Sequence, residues 1–149
     1  MRGFDYSRAL IALMAVGAAG ASLREAGERA GARWAFGQPI GRFQGVAFPL
    51  VEHATLVHAA RLVGYQALAR DDAGLDHRIA ANMAKWWAPK VAVAAANQAL
   101  VTFGQAGWAE DAAPARRLRD VLGLQLADGT ENAAKLVVAR QLLGRDHAP

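Results

Sequence analysis

Apolar and small residues recur at helical spacing in five stretches of the chain, and clusters of glycine, proline and aspartate separate these stretches. The stretches run from about Asp5 or Ser7 to Trp34, from about Gly41 to Arg70, from about Leu75 to Phe103, from about Ala113 to Val121, and from Thr130 to about Leu143. Four of them form long helical patterns joined by short connections. We therefore predict an all-α fold, an antiparallel four-helix bundle of up-down-up-down topology with one short extra helix.

Residues suited to helix ends and helix faces refine this prediction. Asp5 or Ser7 is expected to cap the first helix, and Thr130 the last one. The inner faces are predicted to hold His53, Val57, Ala60, Gly64 and Ala67 in the second helix, and Leu136, Ala139 and Leu143 in the last. Gly17, Gly20, Gly27 and Gly31 form a smooth stripe on the first helix, where we expect another helix to pack closely.

Composition limits the class of protein. The chain has 149 residues, of which 54% are hydrophobic, and this suffices for one domain, 1–149, with a sizeable core. Cysteine is absent, which excludes disulfides and thiol catalysis and fits a cytoplasmic protein. The net charge of +4 is spread over all segments and lacks interleaved aromatic residues, so we predict no nucleic-acid partner.

The apolar run from Ala9 to Ala21 resembles the hydrophobic region of a signal peptide. Asp5 and Arg8 interrupt the region before it, however, and the helical pattern continues without a break into Glu25. The run is also shorter than the roughly 20 residues that a membrane span needs. We interpret it as a buried core helix and expect no membrane association.

The stretch Asp128-Gly129-Thr130 places a carboxylate, a glycine and a helix cap together between two helical segments. Two interpretations are open: Asp128 is a base held against a ligand, or it merely caps the last helix. A second acidic group, Asp71, Asp72, Asp76 and His77, lacks the spacing of a known cation loop. We interpret that group as a solvated turn and predict no metal site.

An ordered set of motifs resembles the flavin-dependent acyl-CoA dehydrogenases. The matching stretches are Arg33-Trp34-Ala35-Phe36-Gly37-Gln38-Pro39-Ile40 with Gln44 (R-x-x-F-G-x-x-I…Q), Met83-Ala84-Lys85, Phe103-Gly104-Gln105-Ala106-Gly107-Trp108 (F-G-G-x-G-[YF]), Arg119-Asp120 with Asp128-Gly129-Thr130 (R-D…E-G-T), and Val138-Ala139-Arg140 (I-A-R). Their order and spacing agree over essentially the whole chain. The resemblance covers the C-terminal helical domain of such enzymes.

This resemblance implies a chemistry and a set of site residues. The reaction is the α,β-dehydrogenation of an acyl-CoA thioester, in which a carboxylate removes the α-proton and FAD accepts the hydride. Asp128 falls where many members place a catalytic Glu, and it is one methylene shorter. Asp5, Arg8 and Gly129 match positions beside the substrate. Contacts to FAD are implied for Thr130 and Asn132 within the subunit, and for Arg33, Phe36 and Gln44 across a dimer.

Implied partners follow from the same resemblance. They are the acyl-CoA substrate, further copies in a homodimer or homotetramer, and an electron-transfer flavoprotein or other acceptor. The N-terminal helical and middle β-domains of full-length members are absent from this sequence. We therefore also expect an alternative, a non-catalytic truncated subunit or fragment that completes a flavin site in a partner chain. A plain helical scaffold with no flavin role is the third interpretation.

Overall fold

The computed structural model describes residues 2–149, and Met1 of the predicted 1–149 domain lies outside them. Its six helices are α1 (Arg2–Ala32), α2 (Gln44–Asp72), α3 (Arg78–Phe103), α4 (Gln105–Trp108), α5 (Ala113–Leu124) and α6 (Glu131–Leu143). Helix α3 contacts all five of the others, so it is the central element. This confirms the all-α prediction, although the last helix of the bundle has only 13 residues.

Alanine dominates the core. The buried cluster takes Ala12, Ala15 and Ala19 from α1, Val57 and Ala60 from α2, Ala84, Ala88, Ala92, Ala95 and Ala96 from α3, and Val121 from α5. Small side chains let helix backbones approach closely. The many contacts among three long helices then stabilise the bundle in place of large buried side chains. The bundle is therefore held by long, closely packed helices.

A short hairpin between α1 and α2 was not predicted. Helix α1 ends at Ala32, two residues before the predicted end, and strand β1 (Trp34–Ala35) pairs antiparallel with strand β2 (Gln38–Pro39). The turn residues Phe36 and Gly37 have φ values of 51° and 80°. Positive φ at both central residues is typical of two-residue hairpin turns. A 3₁₀ turn over Ile40–Arg42 then leads into α2.

Two predicted helix details are wrong. Helix α1 already includes Asp5 and Ser7, so neither residue caps it. Helix α6 buries Ala134 and Val138, whereas Leu143 of the predicted inner face is 57% exposed. The predicted inner face of α2 is confirmed for Val57, Ala60, Gly64 and Ala67, and His53 is only half-buried. With only thirteen residues, α6 has too few helical turns for its apolar pattern to show which of two adjacent faces is buried.

The close approach between α1 and α2 occurs at a glycine of α2. A Cβ atom added at Gly64 would lie 2.7 Å from Cδ2 of Leu13 on α1. By contrast, a Cβ at Gly17, Gly27 or Gly31 would meet no atom within 4 Å, and one at Gly20 would meet only the side-chain Nη2 of Arg61 on α2, at 3.4 Å. No helix backbone among the described residues therefore packs closely on that stripe. Gly64, not the predicted stripe, sets the spacing of these two helices.

Helix α1 is long and apolar enough to cross a membrane by length and composition alone. Its continuous length is 31 residues, longer than the apolar run considered above. Ala9, Ala12, Ala15 and Ala19 on this helix are nevertheless fully buried against the rest of the bundle. Burial in the bundle accounts for these alanines on one face of α1, whereas only 39% of its most apolar 18-residue window is buried.

Candidate functional site

A buried polar cluster joins the first turns of α1 and α3. The Arg8 guanidinium donates from Nη1 to Asn82 Oδ1 at 3.0 Å and to Asp5 Oδ1 at 3.4 Å. Asn82 Nδ2 donates in turn to Asp5 Oδ1 at 3.2 Å and to the Arg78 carbonyl at 2.8 Å. Asp5 is 7% exposed and Asn82 is fully buried. Mutual hydrogen bonding compensates for the burial of these polar groups.

The turn between α5 and α6 packs against this cluster. Asp128 and Gly129 both have positive φ, 53° and 104°, and the Arg8 guanidinium donates from Nε to the Asp128 carbonyl at 3.2 Å. Asp tolerates the left-handed region better than most residues that carry a side chain. Thr130 is the N-cap of α6 and its side chain accepts from the Ala133 amide at 3.5 Å.

These contacts decide one of the alternatives for Asp128. The predicted Thr130 cap is confirmed, so Asp128 does not cap α6. Among the side chains of residues 3–149, none forms a hydrogen bond or ion pair with its carboxylate, and Asp128 lines an open cleft with Gly3, Phe4 and Ser7. A carboxylate that lines an open cleft is accessible to a ligand.

Lys85 lies directly beneath the same turn. Its Nζ donates to the Gly129 carbonyl at 2.8 Å and to the Gln125 carbonyl at 3.4 Å, and the residue is 1% exposed. Burial lowers the pKa of Lys85 below its ordinary value of 10.5, and the nearby Arg8 charge lowers it further. The Asp128 carboxylate opposes this decrease in the pKa.

The structure thus brings Asp5, Arg8, Asp128 and Gly129 together, as predicted. Arg8 is not a solvated first-turn residue, because its side chain is only 17% exposed. Asn82 and Lys85 were missed as site residues. Their signal is in the sequence: two polar residues three positions apart on the alanine-rich face of α3, which points them in one direction. Only tertiary contacts reveal that both serve this turn.

The predicted flavin residues fall into two groups. Thr130 and Asn132 are exposed at the start of α6, next to Asp128. Arg33, Phe36 and Gln44 are exposed around the hairpin, at the far end of α1. Twenty-four residues of continuous helix separate Arg8 from Ala32, which corresponds to roughly 36 Å. One chain therefore presents two widely separated surfaces.

The hairpin surface contains its own cleft, about 380 Å³ in volume. Phe36 is 95% exposed at its edge, and its ring meets the Phe43 ring edge-on at 6.2 Å. Gln98, Val101 and Thr102 of α3 line the opposite side. Val101 supplies no hydrogen-bonding group, but Gln98, one helical turn earlier, provides an amide that was not predicted. A mostly apolar cleft with a few polar groups is typical of small-ligand sites.

The group at the α2–α3 turn is exposed at Asp72 and Asp76, as predicted, and differs from the prediction at His77. His77 is 4% exposed, and its Nδ1 lies 3.2 Å from Oδ1 of Asp71, whose side chain is 35% exposed. Among residues 2–149, no group of three or more His, Asp or Glu side chains is arranged to hold a metal ion. The Asp71–His77 pair therefore connects the end of α2 to the start of α3.

Comparison with known proteins agrees with this architecture. The family model described as "Acyl-CoA dehydrogenase, C-terminal domain" matches residues 1–143. An acyl-CoA dehydrogenase from Bacillus subtilis is 37% identical over 97% of this chain and 38% of its own length. The chain therefore spans well under half the length of this relative.

Solved structures agree as well. Butyryl-CoA dehydrogenase from Megasphaera elsdenii superposes with a TM-score of 0.92 at 32% identity, over 94% of this chain and 37% of that one. A structure titled "PigA with FAD and proline" superposes with a TM-score of 0.90 at 27% identity, over 95% and 37% of the two chains. The motifs, the bundle and these matches together show that the chain belongs to the acyl-CoA dehydrogenase family, as a C-terminal helical domain of that family.

Proposed function

We propose that this chain is the C-terminal domain of an FAD-dependent acyl-CoA dehydrogenase that oxidises an acyl-CoA thioester at its α and β carbons. The observation that carries the proposal is the Asp128 carboxylate. It lines an open cleft, stands on a turn held by Arg8, and has no hydrogen-bond or ion-pair partner among the side chains of residues 3–149. Such a carboxylate is free to accept a proton from a bound ligand.

The residues around this cleft have separate tasks in the proposed reaction. Asp128 would remove the α-proton of the thioester, and bound FAD would supply the hydride acceptor. Arg8, fixed by Asp5 and Asn82, would hold the turn in place beside the substrate side of the cleft. Gly129 allows the sharp turn there, because its φ of 104° is a backbone conformation that residues with a side chain rarely adopt.

The chain's own groups fit a flavin nucleotide. The N-terminus of α6, with exposed Thr130 and Asn132, offers the positive end of a helix for a diphosphate. At the other end of α1, Arg33, Phe36 and Gln44 offer a guanidinium, an aromatic ring and an amide beside the hairpin cleft. Because roughly 36 Å separates the two ends, the hairpin group would serve the FAD of a neighbouring subunit.

A second candidate function is a non-catalytic subunit that completes the flavin site of a partner chain. The acid at Asp128, one methylene shorter than the Glu that many members place there, favours it. The side chain of Val101, which lines the hairpin cleft, also offers no hydrogen bond to a cofactor. In this case the hairpin surface would work without any chemistry at Asp128. Electron transfer to an electron-transfer flavoprotein belongs only to the first candidate.

Both candidates are tested by the visible spectrum of the purified chain with added FAD. The catalytic proposal predicts a bound yellow flavin that bleaches when butyryl-CoA is added. A chain that binds flavin only together with a partner chain would support the second candidate. A chain that stays colourless under both conditions would contradict both.

Asp128→Asn tests the base directly, because Asn tolerates the same left-handed backbone. If Asp128 is the base, bleaching should slow by at least about 100-fold, the usual contribution of a general base, while flavin binding is retained. Unchanged bleaching would exclude Asp128 as the base. Asp128→Glu would bleach faster than the wild-type chain if the carboxylate is well aimed but short.

A further inference from the structure

The Lys85 side chain is the largest side chain that the bundle buries completely. It crosses from α3 to the loop between α5 and α6, where Nζ donates to the Gly129 carbonyl at 2.8 Å and to the Gln125 carbonyl at 3.4 Å. Gln125 is the C-cap of α5. The ammonium therefore lies at the negative end of a helix dipole and holds carbonyl groups on both sides of Asp128.

Packing alone does not explain a lysine at this position. An apolar side chain of similar size, such as methionine, would fill the same space without taking an ammonium out of water. The buried neighbours of Lys85 on this face of α3 are Ala81, Ala88, Pro89 and the uncharged Asn82. Among them the lysine is the one charged side chain, and its charge is directed at the turn.

The α5–α6 turn depends on hydrogen bonds from other helices. Asp128 and Gly129 follow each other in the left-handed region, with φ values of 53° and 104°. Loop carbonyls at three positions accept hydrogen bonds from cations of other helices: Asp128 from Arg8 of α1, and Gln125 and Gly129 from Lys85 of α3. Two of these three carbonyls depend on Lys85 alone.

We propose that Lys85 is a positioning residue that fixes the α5–α6 turn so that the Asp128 carboxylate is held toward its cleft. The inference rests on the proposed role of Asp128 as base. Lys85 does not line the cleft itself: it acts through the backbone of the turn, and its charge also lies near the Asp128 carboxylate. Its removal should leave two partly buried carbonyls without their donor and allow Asp128 to move.

Lys85→Met removes the ammonium and keeps the volume. The matched control is Lys90→Met on the same helix, because Lys90 is 59% exposed and pairs with Glu131 at the surface. Hydrogen exchange is measured at the Ala127 and Ala134 amides, which are bonded on either side of the turn. In Lys85→Met we expect exchange at both to be at least about tenfold faster, with amides in the middle of α2 unchanged, and no such change in Lys90→Met.

Turnover of the flavin-loaded protein gives the functional result. Lys85→Met should lower kcat by about 100-fold, since misplacing a catalytic group by about 1 Å has effects of this size, and should leave KM for the acyl-CoA nearly constant. If Lys85 had only a structural role, Lys85→Met would lower the melting temperature without lowering kcat selectively relative to KM. Equal kcat values in the Lys85→Met and Lys90→Met proteins would overturn the inference.

The two proposals fail in different ways. If the wild-type chain shows no turnover but the turn opens in Lys85→Met, the dehydrogenase proposal and with it the catalytic part of this inference are refuted, while the structural contact stands. If Lys85→Met does not fold, the contact of Lys85 with the turn is tested in the wild-type chain instead. The ¹³C shifts of the Gln125 and Gly129 carbonyls should then follow the titration of Lys85 Nζ, and carbonyls that do not follow it would refute the contact.

Discussion

Asp128 occupies a backbone conformation that few residues with a side chain adopt. With φ at 53°, it depends on its neighbours more than on its own preference. Arg8 supports it through the carbonyl, and Gly129 continues the turn with a still larger φ. The conformation of the turn therefore sets the direction of the carboxylate. Its proposed role as base depends on residues far away in sequence.

Lys85 leads to a prediction about pH. Its pKa is lowered in the folded protein, mainly by burial, so between the folded value and 10.5 the unfolded chain binds more protons. Stability then rises with pH across this window, because fewer folded molecules carry the buried charge. Urea unfolding should show the stability of the wild-type chain increasing relative to Lys85→Met as the pH rises towards 10.5. A constant or falling difference would contradict the assigned burial of the ammonium.

At the scale of elements, the contacts between helices set the geometry of the site. Helix α1 carries Arg8 at one end and leads into the hairpin at the other, so its pairing with α2 and α3 decides where both surfaces lie. Arg117 of α5 forms a bidentate ion pair with Glu25 of α1. Its Nη1 donates to Oε2 at 2.7 Å and its Nη2 to Oε1 at 2.5 Å. This hydrogen-bonded pair lowers the pKa of Glu25 and ties α5 to α1.

Glycine substitutions should separate packed from open helix surfaces. Gly17→Ala meets open space, so we expect it to stabilise the chain by about 0.5–1 kcal/mol through helix propensity. Gly64→Ala gains the same propensity but forces its Cβ within 2.7 Å of Leu13, and overpacking of about 1–3 kcal/mol should make it destabilising. Thermal unfolding measures both. Equal effects of the two substitutions would show that α1 and α2 do not pack as described.

At the scale of the whole molecule, large apolar side chains remain exposed around the hairpin. Trp34 is 63% and Phe36 95% exposed. Isolated exposed apolar residues are ordinary, but Phe36 lines the hairpin cleft, Trp34 lies two residues before it in β1, and both are far from Asp128. Their position fits the proposed contact with the flavin site of a neighbouring subunit.

Association in solution tests this arrangement. We expect sedimentation to show species larger than the 15.8 kDa monomer, since the hairpin surface is proposed to meet another subunit. Phe36→Ser should weaken association by at least about tenfold, as expected for an aromatic residue central to an interface. Leu142→Ser, at a residue that is 72% exposed on α6, is the control. A chain that remains monomeric at every concentration, or responds equally to both substitutions, would contradict the proposed hairpin interface.

The sequence by itself determined the helical class, most helix boundaries, the Thr130 cap and the family, because helix periodicity, capping and ordered motifs are local properties. The resemblance to the family motifs also predicted Asp5, Arg8 and Asp128 as site residues, and their roles stay a prediction. The hairpin, the inner face of α6 and the contacts of Lys85 were decided only by tertiary structure. A two-residue turn, a thirteen-residue helix and a lone lysine carry little periodic information. Lys85 and Gly129 are 44 positions apart, and only the packing of α3 against the α5–α6 turn brings the ammonium to its carbonyl.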